Sequence, residues 1–271
     1  MTEKIQCPLS DHPMESVFTE TVLNKYKVTF YHCEDCGLLK SEHPYWLEES
    51  YQVAIADTDT GLVGRNITNR FLLMPILQRL FRGKGKFLDV AGGYGLLTRL
   101  MRDMGFDCYS TDKYCQNLFA KSFEPTDGFK ADALFAFEIL EHVVDPYQFI
   151  KDIFTQYHCK TLVFSTLTFE GGIPPKDWWY YSFEAGQHIT FYEPRTLAYL
   201  AKRLGCEYYM LNPGFHVITN RKLSMLDSLF IFNRYFRKLY TYFLFWKRKN
   251  LSLVWDDSRK AQALLKEKLP S

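Results

Sequence analysis

The amino-acid sequence predicts an α/β fold with a mostly parallel sheet and an antiparallel strand near its C-terminal edge. Between about residue 60 and residue 220, short apolar runs with strand composition alternate with segments of helical spacing. One of these runs leads through a glycine-rich turn directly into a helix. The chain has 271 residues, 47% of them apolar, so it can fill a sizeable core.

The first long helix is predicted just before the first strand of this sheet. Residues 65–82 place their apolar side chains at helical spacing, and Pro75 is expected to kink the helix. The preceding residues 59–64 are predicted to form a loop, either a lid over a ligand or a plain linker.

The most informative segment is residues 87–95, which read FLDVAGGYG. An apolar strand reaches Asp89, a turn with three glycines follows, and a helix begins near Leu96. Glycine lets the backbone turn tightly and approach a ligand without a Cβ in the way, and a helix start offers free N–H groups. A dinucleotide-binding turn would place a third glycine where Thr98 stands, so the pattern favours another nucleotide cofactor.

The pattern Asp-x-Ala-Gly-Gly-x-Gly resembles motif I of the class I S-adenosylmethionine (SAM)-dependent methyltransferases, with Ala91 in place of the first family glycine. The resemblance implies a Rossmann-like class I methyltransferase sheet with helices on both faces. It also implies that Asp112, which ends the next strand 17 residues after Gly95, binds the ribose, and that Ala131 or Asp132 lies near the adenine. The predicted cofactor-binding residues are Asp89, Ala91, Gly92, Gly93, Gly95, Asp112, Asp132 and Phe137.

A second group of polar residues follows the apolar strand at residues 133–137. If the chain turns helical there, Glu138, Glu141 and His142 share one face, as a divalent cation requires. The run resembles metal-dependent small-RNA ribose 2′-O-methyltransferases and ubiquinone-pathway O-methyltransferases; in the RNA enzymes a later histidine completes the site, and His188 is the candidate here. The resemblance implies a magnesium, manganese or zinc ion at Glu138, Glu141, His142 and His188. Glu138, His142 and His188 are the predicted catalytic residues.

A metal-free interpretation of the same residues stays open. Glu141 and His142 would then cap and orient the helix, and His188 or His142 would be the general base.

Residues 1–45 are predicted to form a zinc-ribbon-like extension. Cys33 and Cys36 have the spacing of a zinc knuckle, and Cys7 begins a second one. Ser10 stands where the fourth cysteine is expected, so His12 is the predicted fourth ligand of a structural zinc ion, with free thiols in a degenerate ribbon as the alternative. The chain has seven cysteines and no secretory signal segment, so thiols rather than disulfides and a cytoplasmic location are expected.

Four consecutive aromatic residues, 178–181, cannot all point into one core. They form either a platform for sugar rings or a plug of the core. Residues 30–220 resemble methyltransferases of bacterial surface-polysaccharide gene clusters, which implies O-methylation of a sugar hydroxyl. Three alternatives remain: C- or N-methylation of a nucleotide-linked sugar, methylation of a small phenol, and a SAM-binding scaffold without turnover.

Residues 221–271 are predicted to form a basic, aromatic helical tail behind a methyltransferase domain at residues 46–220. The tail holds twelve Lys or Arg against four Asp or Glu. Its helical segment at residues 228–250 either lies peripherally on an anionic inner membrane or packs on the domain or on a second copy. Arg234, Arg237 and Lys238 interrupt the apolar run and argue against a spanning helix. Nucleic acid is not an expected partner, because the rest of the chain is acidic and no RNA-binding module is recognisable.

Overall fold

The computed structural model describes residues 5–51 and 60–268. The chain forms two compact units. The first unit comprises residues 1–58, 136–156 and 160–221, and the second comprises residues 59–135, 157–159 and 222–271. Residues 1–45 therefore lie in one unit with much of the region predicted as the methyltransferase domain, and the sequence boundaries at residues 45 and 220 stay predictions.

The second unit contains the parallel strands. β5 (Lys86–Val90) lies between β6 (Asp107–Thr111) and β7 (Ala133–Ala136), and both neighbours run parallel to it. The last residue of β7, Ala136, belongs to the first unit. β7 is buried along its whole length, as expected for a parallel strand that is covered on both faces. The parallel direction brings the carboxyl ends of these strands to one edge.

The helices of the second unit pack on one another and on these strands. α2 contacts α3, α6 and α7, and α3 follows the strand β5 directly. The loop predicted at residues 59–64 is wrong for residues 62–64, because α2 begins at Leu62. Residue 59 of that predicted loop lies outside the described residues. The helices of this unit are α2 (Leu62–Phe81), α3 (Leu96–Arg102), α6 (Met225–Phe232), α7 (Arg234–Arg248) and α8 (Val254–Lys268).

The first unit contains an antiparallel sheet with the strand order β1-β2-β3-β4-β9. Its last strand comes from far along the chain, since Leu39 pairs with Phe191 and Lys40 with Thr190. The elements are β1 (Ile5–Gln6), β2 (Pro13–Val22), β3 (Tyr26–His32), β4 (Leu39–Ser41), the short helix α1 (Leu47–Ser50) and β9 (Thr190–Phe191).

A second group of strands in the first unit follows the order β10-β11-β8, and both pairings are antiparallel. This confirms the antiparallel strand predicted near the C-terminal edge, and with the parallel strands it confirms the α/β class. The elements are α4 (Pro146–Gln156), β8 (Thr161–Phe164), α5 (Pro194–Arg203), β10 (Glu207–Asn212) and β11 (Phe215–Thr219). Across residues 5–51 and 60–268, no helix has both the length and the apolar composition needed to cross a membrane.

His216 is fully buried in β11 and is held in its neutral form. Its Nε2–H donates to the Thr166 carbonyl at 2.9 Å, and its Nδ1 accepts from the Tyr208 hydroxyl at 3.0 Å. Burial lowers the pKa of His216 to about 4. A histidine of the unfolded chain takes up a proton near pH 6.5, so between these values the unfolded state binds more protons than the folded state.

Acid is therefore expected to destabilise the protein through His216. The free energy of unfolding should fall as the pH drops from about 6.5 to about 4, by on the order of 3 kcal/mol from this residue. Urea unfolding of the wild type and of His216→Gln at pH 7.5 and pH 4.5 measures the effect. The variant should be the less stable protein at pH 7.5, and the difference should shrink at pH 4.5. An unchanged difference at both pH values would contradict the prediction.

Candidate functional site

The glycine turn follows β5 at the carboxyl edge of the parallel strands. The Gly92 N–H donates to the Thr111 carbonyl at the end of β6, at 3.0 Å. A Cβ on Gly92 would lie 2.3 Å from Ser110 Oγ and 2.7 Å from Asp89 Oδ2, so this position has no room for a side chain. At Gly93, in contrast, φ is +56° and the space beyond the missing Cβ is open within 4 Å. The turn thus combines a packed inner side with an open outer side.

Ala91 has a left-handed backbone, with φ of +61°. An L-residue with a Cβ is strained in this region by about 1–2 kcal/mol. This strain explains why the motif that this segment resembles has a glycine at the position of Ala91.

Replacing Ala91 with glycine is expected to raise the free energy of unfolding by about 0.5–1 kcal/mol. The gain is smaller than the strain because glycine makes the unfolded chain more flexible. Urea denaturation of Ala91→Gly measures it, with Gly93→Ala as the opposite change at a left-handed glycine. A loss of stability in Ala91→Gly would show that this backbone is not strained.

Two carboxylates lie at the turn, and one of them, Asp112, holds it by hydrogen bonds. Asp112 accepts from the Gly93 N–H at 2.9 Å through Oδ2, and from the Tyr114 and Cys115 N–H groups at 2.7 Å through Oδ1. A carboxylate has about four acceptor positions, so Asp112 keeps about one for a ribose hydroxyl. Asp89 is buried, and its pKa is raised to about 8 by burial and then by the charge of Asp112. A cationic ligand at the turn would offset the repulsion between the Asp89 and Asp112 carboxylates.

One of the predicted cofactor residues in the second unit is not brought to this turn. Asp132 lies at the opposite, amino end of the parallel strands, where its Oδ2 accepts from the Lys86 N–H at 2.9 Å. Asp132 directly precedes β7, which begins at Ala133, so its side chain lies before the strand and not after it. Phe137 belongs to the first unit, where its ring centroid lies 5.5 Å from that of Phe215.

The helix expected to carry Glu138, Glu141 and His142 together does not form. Only Leu140–His142 makes a single 3₁₀ turn. Glu138 precedes this turn with φ of +56°, a left-handed backbone that is unusual for glutamate. The Glu138 N–H donates to Ser165 Oγ at 2.8 Å, and the Ser165 hydroxyl donates back to the Glu138 carboxylate. Strained residues that are held in this way concentrate at functional sites.

Glu141, His142 and His188 nevertheless form one cluster in the first unit. Their potential ligand atoms all lie within 4.8 Å of one another. Glu138 is not part of this group, although its charge acts on the pKa of His142. Three of the four predicted metal-binding residues are thus brought together, and they combine two imidazoles with one carboxylate. This ligand set occurs at zinc and non-haem iron sites.

Backbone carbonyls fix the orientation of both imidazoles. The Nδ1 of His142 lies 3.0 Å from the Gln187 carbonyl oxygen, and the Nδ1 of His188 lies 2.6 Å from that of Tyr180. A carbonyl only accepts, so Nδ1 carries the hydrogen in each ring and a neutral ring keeps its lone pair on Nε2. Metal-binding histidines are held in this manner. Desolvation, with the charge of His188 second, lowers the pKa of His142 to about 4, which keeps it a neutral ligand.

Glu141 provides the strongest sign that the cluster holds a ligand. Its side chain is 0% exposed, and Oε1 accepts from the Tyr180 hydroxyl at 2.9 Å. Within the described part of the chain, Oε2 has no hydrogen-bond partner of normal geometry, although the Thr166 hydroxyl and the Glu141 N–H lie close enough to the carboxylate to oppose the effect of burial on its pKa. Burial raises the pKa of Glu141. A buried carboxylate oxygen without a donor is costly, and a cation would satisfy it.

The four aromatic residues divide between the two predicted roles. Trp178, Tyr180 and Tyr181 pack with Phe191 in the aromatic core of the first unit. Trp179 is 74% exposed and directly precedes Tyr180, which holds both Glu141 and His188. The sequence did not show that Tyr180 positions these two residues, since neither hydrogen bond follows from spacing.

The cysteines of the N-terminal sheet form a second cluster in the first unit. Cys7, Cys33 and Cys36 are buried, and their sulfur atoms all lie within 4.8 Å of one another. The Sγ atoms of Cys7 and Cys36 are 3.6 Å apart, and Ser10 Oγ lies 3.3 Å from Cys33 Sγ. A hydrogen bond from Cys36 lowers the pKa of Cys7 to about 5, although burial opposes this shift.

His12 does not join the three thiols, which corrects the predicted ligand set. Its Nδ1 lies 3.0 Å from the Ser10 carbonyl oxygen and 3.5 Å from the Asp35 carboxylate, on the exposed side of the knuckle. The backbone turns at Asp11, where φ is +59°, so Ser10 faces the thiols and His12 faces away. Ser10, and not His12, therefore lies beside the thiols.

A glycine turn between a parallel strand and a helix, with an acid at the end of the next strand, is the arrangement with which α/β folds bind nucleotide cofactors. Residues 66–211, more than half of the chain, match the family model described as a methyltransferase domain. The chain belongs to this methyltransferase family. None of the curated proteins matches the chain in sequence.

Three solved methyltransferase structures are among those similar to the chain. The mitomycin 7-O-methyltransferase MmcR has 13% identity and a TM-score of 0.43; the match covers 65% of this chain and 60% of the MmcR chain. The magnesium protoporphyrin IX methyltransferase ChlM from Synechocystis PCC 6803, with bound SAH, has 13% identity, a TM-score of 0.41 and coverage of 64% and 94%. The plantazolicin methyltransferase BpumL in complex with SAH has 11% identity, a TM-score of 0.43 and coverage of 65% and 94%.

Proposed function

We propose that this methyltransferase transfers the methyl group of SAM to a hydroxyl of a sugar or glycan, with a divalent cation held by Glu141, His142 and His188. The observation that carries the proposal is Oε2 of Glu141, a fully buried carboxylate oxygen without a hydrogen-bond partner of normal geometry in the described residues. The two Nε2 atoms are the remaining donors of the set, since both Nδ1 atoms are used by carbonyls.

The glycine turn suits the cofactor on two grounds. Gly93 leaves open space beside the backbone, and Asp89 is destabilised as an anion by burial and by Asp112. SAM carries a sulfonium and an ammonium group, so its positive charge would favour the ionised form of Asp89. When bound, SAM supplies a methyl group on a sulfur that is already activated, so the protein mainly has to align donor and acceptor.

Glu138 is the proposed general base, which takes the proton of the acceptor hydroxyl. When bound, the cation supplies a Lewis acid that lowers the pKa of the hydroxyl. His142 and His188 act as ligands in this arrangement, which leaves the Glu138 carboxylate, held by Ser165, as the proton acceptor. Trp179 supports a sugar acceptor, because its exposed ring can cover the C–H face of a sugar.

The three thiols and Ser10 form a proposed structural zinc site. Three buried sulfur atoms and a hydroxyl oxygen complete a four-membered ligand set, although a serine is a weaker ligand than a cysteine. Two arginines of α5 hold the two cysteine-bearing turns by hydrogen bonds. Arg195 donates to the Glu34 carbonyl, and Arg203 donates to the Pro8 and Leu9 carbonyls. The site would thus stabilise the first unit rather than take part in the reaction.

Metal analysis of three proteins separates the two proposed sites. We expect the wild type to contain zinc and a second divalent ion, Cys33→Ser to lose only the zinc, and Glu141→Gln to lose only the second ion. Glu141→Gln keeps the shape of the side chain, and binding of SAH by calorimetry checks that its cofactor site is intact. A Glu141→Gln protein with the metal content of the wild type would refute the catalytic cation.

The acceptor is tested with labelled SAM. Sugars and oligosaccharides with free hydroxyls are expected to be labelled at oxygen, and small phenols and amines are the competing acceptors. Trp179→Ala should raise the KM for a sugar acceptor about tenfold and leave SAH binding unchanged. Labelling of a phenol but of no sugar would refute the sugar proposal and leave the methyltransferase assignment in place.

A further inference from the structure

The outward face of α7 is apolar, although it is exposed. Tyr235, Leu239, Tyr242 and Trp246 follow one another at helical spacing, and their exposed fractions are 79%, 70%, 65% and 49%. Phe236 and Phe243 extend the same face. Exposed apolar surface of this extent on one helix marks an interaction site.

The inner face of α7 is anchored, so the outward face cannot turn into the core. Leu244 is buried, and the Phe245 ring lies 5.7 Å from the Phe71 ring of α2. Arg248 is buried and donates to the Met104 and Gly105 carbonyls at 2.9 Å. The exposed side chains therefore stay on the surface of the second unit. A cavity of about 880 Å³ beside α7, lined also by Phe71 and Leu72, adds apolar surface.

The charges around this face have one sign. Residues 228–255 contain no Asp or Glu and six Lys or Arg. Arg234, Lys238, Lys247 and Lys249 are exposed. Two copies joined through the same face would bring these cations together, because a two-fold interface pairs a surface with itself. An anionic surface is complementary to the face, and a bilayer also accepts its aromatic side chains.

We propose that the outward face of α7 docks the protein on an anionic lipid bilayer. The helix would lie in the plane of the interface, with its aromatic side chains between the headgroups and its cations against the lipid phosphates. No spanning segment is needed. The proposal does not depend on the proposed sugar acceptor or on the catalytic cation.

Vesicle flotation of the full chain tests the proposal. Vesicles of phosphatidylcholine alone are compared with vesicles that also contain phosphatidylglycerol. We expect the wild type to bind only the anionic vesicles, and Arg234→Gln/Lys238→Gln to bind them roughly 30-fold more weakly, at about fivefold per cation. Leu239→Glu/Trp246→Glu should lose binding. Trp255→Glu is the matched control, because Trp255 is 77% exposed but lies on α8 beside Asp256 and Asp257. It should bind like the wild type.

Three results would overturn the proposal. The first is no binding of the wild type to anionic vesicles. The second is equal binding by the wild type and Leu239→Glu/Trp246→Glu, with circular dichroism and SAH binding showing that both are folded. The third is a wild-type dimer by light scattering that Leu239→Glu/Trp246→Glu converts to a monomer, which would assign the face to a second copy.

Discussion

His188→Ala is expected to lower the rate of methyl transfer by about 10²- to 10⁴-fold while the affinity for SAH stays within about twofold of the wild type. The variant removes one of two imidazoles whose ligand atoms lie within 4.8 Å of the Glu141 carboxylate. The N–H groups of Gly92 and Gly93 in the glycine turn donate to Thr111 and Asp112, so the substitution removes neither of these hydrogen bonds. Single-turnover transfer from labelled SAM and calorimetry with SAH measure the two quantities separately.

The control for this prediction is His158→Ala, because His158 is an exposed histidine that follows α4 and takes no part in the cluster. Its rate should equal that of the wild type. The rate of His188→Ala should also respond less to a chelator, since the chelator and the variant remove the same function. A His188→Ala enzyme that keeps the full rate, with and without chelator, would show that the cluster is not the active site.

Gly92→Ala is expected to weaken SAH binding by at least about 100-fold and to lower the free energy of unfolding by about 1–3 kcal/mol. The new methyl group would lie 2.3 Å from Ser110 Oγ and 2.7 Å from Asp89 Oδ2, closer than carbon and oxygen can approach. The turn or Asp89 must therefore shift, and both belong to the proposed cofactor site. Calorimetry with SAH and urea unfolding measure the two effects.

Two further variants test the cause of this loss. Ser110→Ala removes the nearer of the two atoms, so Gly92→Ala/Ser110→Ala should recover part of the lost affinity. Gly64→Ala is the matched control, because a Cβ there would meet nothing within 4 Å and the residue lies in α2. It should leave SAH binding unchanged and stabilise the helix by about 0.5–1 kcal/mol. Equal affinity in Gly92→Ala and Gly64→Ala would remove the turn from the cofactor site.

The structural features that the sequence predicted correctly are local. The glycine turn depends on neighbouring residues, because backbone freedom at Gly93 and Gly95 and the strand before them lie within one short segment. The methyltransferase family was recognisable from the same residues, and the family model confirms it. Asp132 was misplaced, because it directly precedes β7 and so lies at the amino end of the parallel strands, whereas the glycine turn lies at their carboxyl end.

The remaining errors involve residues that meet across long sequence separations. Ser10 rather than His12 faces the thiols, because the turn at Asp11 decides which side chain points inward. Glu138 leaves the cluster because its backbone is left-handed and Ser165, 27 residues later, holds its carboxylate.

The sequence by itself determined the fold class, the glycine turn and the family, because strand and helix periodicity and glycine conformational freedom are properties of short segments. Only the tertiary structure decided which groups share a site. It placed His188 beside Glu141 and His142, and it placed Tyr180 where its hydroxyl and carbonyl hold two members of that cluster. It also left the aromatic face of α7 in solvent, since burial depends on which surfaces the packed helices cover and not on the helical pattern alone.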